Sequence, residues 1–236
     1  MIFVKSEDLK YGMRLAKPIY NKTGVLLYER NTRLTLQGIE SVKNFGLLGL
    51  YILEPAEPVP PMTEEDLDFE RFQTMAVFSI REELDNIIAG REPVNLKRLA
   101  NAIITNYGRL DHKITFTQNL RSTTDYVYKH VINTAILCAL ISAQVYYTPT
   151  EQEELVLAAL LHDIGKLLLP NKVREKYDDY DTNDLIIVKK IQNDGLGLLR
   201  PEIGIDSGVR RIVAQIHRME YGNSNLERDK IGRAHV

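Results

Sequence analysis

The stretch LAALLHDIGKLLLP, residues 157–170, decides the fold, because it sets a histidine and an aspartate into an otherwise apolar helical segment. Burying a carboxylate without a partner is costly, so the pair His162 and Asp163 needs a compensating group. A divalent cation is one such group, and imidazole together with carboxylate suits Zn, Fe, Mn or Co. The alternative is a buried histidine that hydrogen-bonds a nearby group, with Asp163 close to the helix end.

Lys166 follows His162 by one helical turn, at i+4, and is predicted to share its face. A cation at this position could attract a phosphate oxygen. Adjacent residues on a helix point about 100° apart. One ion held by both His162 and Asp163 therefore needs suitable rotamers, and two ions that share Asp163 are another solution.

A second apolar helix with polar side chains lies upstream, in DYVYKHVINTAILCALIS, residues 125–142. His130 stands in its first half, with Asn133 and Thr134 close behind. Two such helices in sequence predict a site between packed helices. Tyr126, one turn before His130, could contact a ligand, orient the histidine, or pack in the core.

The remaining pattern predicts a mainly α chain, with a small α/β domain ahead of a helical bundle. Residues 1–54 carry two β-rich runs around a turn, a helical stretch from residue 36 to 45, and a third apolar run. Four prolines between Glu54 and Thr63 predict a linker over residues 55–63. Residues 64–230 form the predicted helical domain, with helices over 64–89, 94–111, 124–147, from Pro149 to near Gly165, 181–193 and 207–221.

Composition narrows the classes of function. The formal net charge of −2 gives no support for binding a nucleic-acid polymer through bulk electrostatics. A single cysteine, Cys138, is typical of a reducing compartment. With no signal peptide and no span of roughly 20 apolar residues expected, we predict a cytoplasmic protein.

The last six residues, IGRAHV at 231–236, match the translation of a sequencing-adapter start, and we expect them to be read-through.

The two helical stretches, in the order histidine, then histidine–aspartate, then glycine–lysine with Pro170 after it, closely resemble the HD-GYP family. These are bacterial phosphodiesterases that act on cyclic dimeric GMP, an α-helical subset of the HD superfamily of metal-dependent phosphohydrolases. Residues 9–35 also look like the domain often found ahead of such units. The resemblance therefore implies an all-helical HD-type domain after a small N-terminal domain, and it covers nearly the whole chain.

Carried over position by position, the resemblance implies a metal centre and a substrate site. Its metal ligands would be His130, His162, Asp163 and His217, holding Fe or Mn. Asp163 and Lys166 would be the catalytic residues, and Lys166 and Tyr126 would contact the substrate. Implied partners are a cyclic dinucleotide, signalling proteins and a second copy of the chain.

The chain departs from the family pattern after Pro170. The family histidine–proline pair is replaced by Ile191 and Gln192, although Gly195 keeps the glycine that follows. Ile216 replaces the first histidine of the family's double histidine, whereas His217 keeps the second, and a structural role for His217 stays as open as a ligand role. This reduced set favours one ion over a full two- or three-ion centre.

Two functions follow from this comparison. The first is hydrolysis of cyclic dimeric GMP, favoured by the four residues that are kept: His130, His162, Asp163 and Lys166. The second is a degenerate signalling module that binds nucleotides or proteins without turnover, favoured by the replaced ligands.

Overall fold

The computed structural model of the protein describes residues 1–47, 49–109, 126–176 and 180–222. It is 60% helical, with a small β-sheet region at the N-terminus. The predicted fold class, mainly α with a small α/β part in front, is thereby confirmed.

The N-terminal part contains five short strands and one helix. They are β1 (Ile2–Lys5), β2 (Arg14–Leu15), β3 (Ile19–Tyr20), β4 (Leu26–Tyr28), α1 (Leu36–Asn44) and β5 (Gly49–Leu53). The strands β1, β5 and β2 form an antiparallel sheet in that order, with Phe3 opposite Tyr51. The strands β3 and β4 form a separate antiparallel pair.

Helix α1 closes the core of this part. Its N-cap Thr35 accepts a hydrogen bond from the Gly38 amide at 3.0 Å, which satisfies a donor that the first turn leaves open. The buried face of α1, Ile39 and Val42, packs with the apolar side chains of the strands and loops. These are Leu9, Leu15, Ile19, Leu34, Leu50 and Ile52.

The rest of the described chain is helical. Its α-helices are α2 (Glu64–Ile88), α3 (Leu96–Tyr107), α4 (Tyr126–Gln144), α5 (Pro149–Leu161), α6 (Asn171–Arg174), α7 (Thr182–Leu198) and α8 (Ser207–Tyr221). Two 3-10 helices, Ile164–Leu168 and Pro201–Ile203, lie after α5 and α7.

The chain divides into two compact units. The first contains residues 1–81 and, of the described residues that follow, 126–132; the second contains the described residues of 82–109 and 133–222. The division passes through α2 and α4, each of which is one continuous helix. The domain boundaries predicted from the sequence stay a prediction, and the predicted read-through at 231–236 lies outside the described residues.

Helix α5 is the centre of the second unit. A capping box fixes its start: the Thr148 side chain accepts a hydrogen bond from the Glu151 backbone, and the Glu151 carboxylate accepts one from the Thr148 backbone. Pro149 in the first turn also favours a helix start. Its last six residues, 156–161, are all buried, and the helix contacts α3 and α8. Gln152 ties it to α4 by donating to the Ala139 carbonyl at 3.1 Å. This packing holds the residues that follow α5 inside the unit.

Helix α4 is apolar over most of its length. By length and composition alone it could cross a membrane, a property that the buried helices of soluble domains share. The prediction that the chain has no membrane span therefore stays a prediction.

Candidate metal centre

The His162–Asp163 pair lies at a bend in the chain. The sequence predicted a helix running to about Gly165, and this was wrong, because α5 ends at Leu161 with His162 as its C-cap. Asp163, at φ −104° and ψ 16°, joins α5 to the 3-10 helix Ile164–Leu168. No local pattern marks this break, because apolar residues continue on both sides of it. Because of this bend, the side chains of His162 and Asp163 are not held at the angle of about 100° that a continuous helix imposes on adjacent residues.

Hydrogen bonding fixes the imidazole of His162. Its Nδ1 lies 2.7 Å from the carbonyl oxygen of Ala159. Because a carbonyl only accepts, Nδ1 carries a proton, and in the neutral ring Nε2 then carries the lone pair. A histidine that binds a metal through one nitrogen usually donates the other N–H in this way. His162 is therefore held in the tautomer that a ligand needs.

Asp163 is almost completely buried, and three polar groups surround its carboxylate. Lys166 Nζ lies 2.9 Å from Oδ2, and His162 Nε2 lies 3.6 Å from the same oxygen. On the other side, Gln192 Nε2 donates to Oδ1 at 2.8 Å. Lys166 is itself only 6% exposed, so the ammonium and carboxylate compensate each other's burial. The Lys166 side chain thus reaches the aspartate that the sequence assigned to the metal.

Gln192 is the site residue that the sequence analysis missed. It had been noted only as the replacement for a family proline, yet it is fully buried and bonded to Asp163. A signal was present: Gln192 follows Val188 by four residues and precedes Gly195 by three, so its amide had to lie on the buried face of α7.

Two glycines bring α7 close enough for this bond. A Cβ on Gly195 would lie 2.6 Å from the Cα of Gly165, and a Cβ on Gly165 would lie 2.7 Å from the Cα of Gln192. Only residues without a side chain fit such an approach of backbone to backbone. Gly165 and Gly195 therefore set the distance between α7 and the 3-10 helix that carries Lys166.

His130 completes a group of possible metal ligands. Its ring nitrogen, a ring nitrogen of His162 and a carboxylate oxygen of Asp163 all lie within 4.8 Å of one another. His130 lies on α4, the helix that continues into the second unit from residue 133. Tyr126, one turn earlier, stacks on the His130 ring with centroids 5.7 Å apart. The predicted contact of Tyr126 with the substrate stays a prediction.

His217 is placed differently from the other predicted ligands. It is 4% exposed, and its Nε2 lies 2.6 Å from the carbonyl oxygen of His162, which makes Nε2 the donor. Its Nδ1 has no hydrogen-bond partner among the described residues. His217 therefore supports the backbone of a candidate ligand, and it lies outside the group of three described above. A ligand role for His217 stays a prediction.

The replaced family positions have structural roles. Ile191 packs against an apolar cluster of Leu169, Val173 and Val188, and Gln192 donates to the Asp163 carboxylate. Tyr221 also packs against this cluster, and its ring meets that of His217 edge-on at 6.2 Å. Burial raises the pKa of Tyr221, so its phenol stays protonated at neutral pH.

The residues at this site fit a divalent cation. Two imidazoles and one carboxylate converge, and the hydrogen bond from His162 Nδ1 fixes one ring as a ligand would require. The set of two nitrogens and one oxygen suits Zn, Fe, Mn or Co. With three protein ligands, further positions on an ion would remain for water or substrate.

A helical domain with a buried histidine–aspartate pair after one helix, and a further histidine on a neighbouring helix, defines a class of metal-site proteins. Residues 127–231, a little under half of the chain, match the family model of the HD domain. This match supports the HD superfamily, whose members are metal-dependent phosphohydrolases. Comparison with curated proteins and with solved structures gives no significant match.

Proposed function

We propose that this protein is a metal-dependent phosphodiesterase and that its substrate is cyclic dimeric GMP. The observation that carries the proposal is the convergence of His130, His162 and Asp163 within 4.8 Å. The HD-domain match supports the reaction class. The substrate rests on the resemblance of the two helical stretches to the HD-GYP family.

The chain's own residues have distinct tasks in this reaction. His130, His162 and Asp163 would hold the ion, which supplies Lewis-acid activation of a phosphoryl oxygen and of water. Gln192 and the Ala159 carbonyl orient two of these ligands from behind. Lys166 supplies a positive charge beside Asp163, where it can also attract the negative charge of a phosphodiester.

The first experiment measures metal directly. We expect purified protein, after dialysis with Mn or Fe, to retain metal at a fixed stoichiometry by elemental analysis. Asp163→Asn and His130→Ala should lose that metal, because each removes one of three ligands. Asp194→Asn is the matched control, since Asp194 is exposed on α7 outside the group. Equal metal content in all four proteins would contradict the assignment of the ligands.

The second experiment measures turnover of cyclic dimeric GMP with Mn or Fe present. The wild-type protein should hydrolyse it, and Asp163→Ala should not. If the two proteins give equal rates, the enzymatic proposal is refuted.

A specific observation favours a second function, a degenerate module that binds nucleotides or proteins without turnover. Ile191 and Gln192 occupy the positions of the family histidine–proline pair, and both are built into the local packing. Stoichiometric metal binding with no hydrolysis in the turnover assay would support this second function over the first.

A further inference from the structure

The last turn of α8 carries a second aromatic residue close to the candidate metal centre. Tyr221 lies one turn after His217, and the two rings meet edge-on with their centroids 6.2 Å apart. The Tyr221 ring also packs against the apolar cluster that Ile191 contacts. Its hydroxyl lies within hydrogen-bonding reach of the side chain of Gln192, the residue that follows Ile191. Tyr221 is therefore a neighbour of the amide that is bonded to Asp163.

The side-chain amide of Gln192 has one atom that still needs a partner. Its Nε2 donates to Asp163 Oδ1 at 2.8 Å. Its Oε1 is buried and has no hydrogen-bond partner among the described residues. A buried acceptor without a donor is costly, and native structures seldom leave one. A phenol hydroxyl rotates to suit its acceptor, so Tyr221 can supply the donor that Oε1 needs.

The chemistry of the two groups decides the direction of this hydrogen bond. Burial raises the pKa of Tyr221, so its hydroxyl keeps its proton at neutral pH and can donate. Donation to Gln192 Oε1 leaves Nε2 directed at the carboxylate of Asp163. The reversed amide would place Oε1 against that carboxylate, and two acceptors cannot bond each other. The phenol and the carboxylate therefore favour the same orientation of the amide.

We propose that Tyr221 is a positioning residue for the candidate metal centre and that it acts through Gln192. Its hydroxyl donates to Gln192 Oε1 and so holds Nε2 toward Asp163 Oδ1. One turn earlier, His217 donates to the carbonyl of His162. A single turn of α8 thus holds both members of the histidine–aspartate pair in place, one through the main chain and the other through a side-chain amide. The expected effect on metal binding rests on the metal site proposed above.

Tyr221→Phe tests the proposal, because it removes the hydroxyl and keeps the ring that contacts His217 and the apolar cluster. The affinity of the full chain for Mn, measured by calorimetric titration, should fall about 3–10-fold, the effect of one neutral hydrogen bond. Tyr180→Phe is the matched control, because Tyr180 packs against the same cluster, and it should bind Mn like the wild type. Equal affinity of Tyr221→Phe and the wild type would overturn the proposal.

The same substitution in a Gln192→Met background separates positioning from packing. Once the amide is absent, the hydroxyl has nothing to orient, so Tyr221→Phe should cause no further loss of Mn affinity. A hydroxyl that acts through packing alone would cause the same fold loss in both backgrounds. That result would also overturn the proposal.

A measurement on metal-free protein distinguishes failure of this proposal from failure of the metal centre. In nuclear magnetic resonance spectra of the chelator-treated chain, the Gln192 side-chain amide is the signal that Gln192→Met lacks. Its protons should exchange with solvent at least about tenfold faster in Tyr221→Phe than in the wild type, and equal rates would refute the positioning role. If exchange is faster in the variant but the wild type binds no Mn, the metal centre is refuted and the contact between Tyr221 and Gln192 stands.

A measurement on the wild-type protein covers the case in which Tyr221→Phe does not fold. A nuclear Overhauser cross-peak is expected between the ring protons of Tyr221 and the side-chain amide of Gln192. The absence of this cross-peak would overturn the proposal.

Discussion

Gly195→Ala tests the packing that brings α7 to the site. The added Cβ would lie 2.6 Å from the Cα and 2.7 Å from the backbone nitrogen of Gly165. Non-bonded carbon atoms are normally about 3.5–4.0 Å apart, so α7 must move away from the 3-10 helix by about 1 Å. Neither contacted atom belongs to a flexible side chain, so a rotamer change cannot relieve the clash.

The magnitude follows from three contributions. Overpacking of this kind costs about 1–3 kcal/mol. Movement of α7 weakens the bond from Gln192 to Asp163, and a hydrogen bond to a charged group contributes about 1.5–3 kcal/mol. Replacing a helical glycine by alanine returns about 0.5–1 kcal/mol. With that bond lost, we expect Gly195→Ala to lower the free energy of unfolding by about 1.5–5.5 kcal/mol.

Gly197→Ala is the matched control, because Gly197 lies on the same helix two residues later and a Cβ there would meet nothing within 4 Å. We expect this variant to be as stable as the wild type or to gain up to about 1 kcal/mol. The assay is urea unfolding followed by far-ultraviolet circular dichroism. A Gly195→Ala protein as stable as Gly197→Ala would refute the close approach of the two glycines.

Three other predictions concern the site and α4. Lys166→Met should destabilise the metal-free protein by about 3–5 kcal/mol, because it removes the cation that lies 2.9 Å from a buried carboxylate. Added Mn should raise the melting temperature of this variant more than that of the wild type. An equal rise in both proteins would contradict the pairing of Lys166 with Asp163. Gln192→Met keeps the length of the side chain but removes the hydrogen-bond donor to Asp163. The affinity of the protein for metal, measured by titration, should therefore fall about 10–100-fold. Unchanged affinity would exclude the idea that Gln192 orients Asp163. Burial raises the pKa of the Cys138 thiol, so its thiolate fraction at pH 8 is below that of an exposed cysteine. Alkylation by iodoacetamide at pH 8 should be slow in the folded protein and fast in urea; equal rates would show that the thiol is not buried.

The helices were predictable from the sequence because each carries its own local signals. The capping box at Thr148 and Pro149 fixed the start of α5, and apolar spacing placed α7 and α8 within a few residues of their observed bounds. Such signals depend only on neighbouring residues, so no knowledge of the tertiary structure is needed.

The contacts within the site were less predictable, because they join residues far apart in the chain. The bond from Gln192 to Asp163 spans 29 residues, and the bond from His217 to the His162 carbonyl spans 55. The latter uses a backbone acceptor, which every residue carries, so no residue type marks it. The family resemblance implies a ligand role for His217 and leaves a structural role equally open, and the bond of its Nε2 to a main-chain oxygen is a contact that no sequence pattern indicates.

The two replacements in α7 support the expectation that this site would hold a single ion. Ile191, at the position of a family histidine, packs against the apolar cluster with Val188 and offers no ligand atom. The neighbouring Gln192 directs an amide donor at Asp163 Oδ1, and a donor there competes with a second cation for the same oxygen. The other oxygen, Oδ2, lies beside Lys166 Nζ and His162 Nε2. In the proposed reaction, Lys166 would have to turn from the Asp163 carboxylate toward the substrate phosphate, because its ammonium lies 2.9 Å from Oδ2.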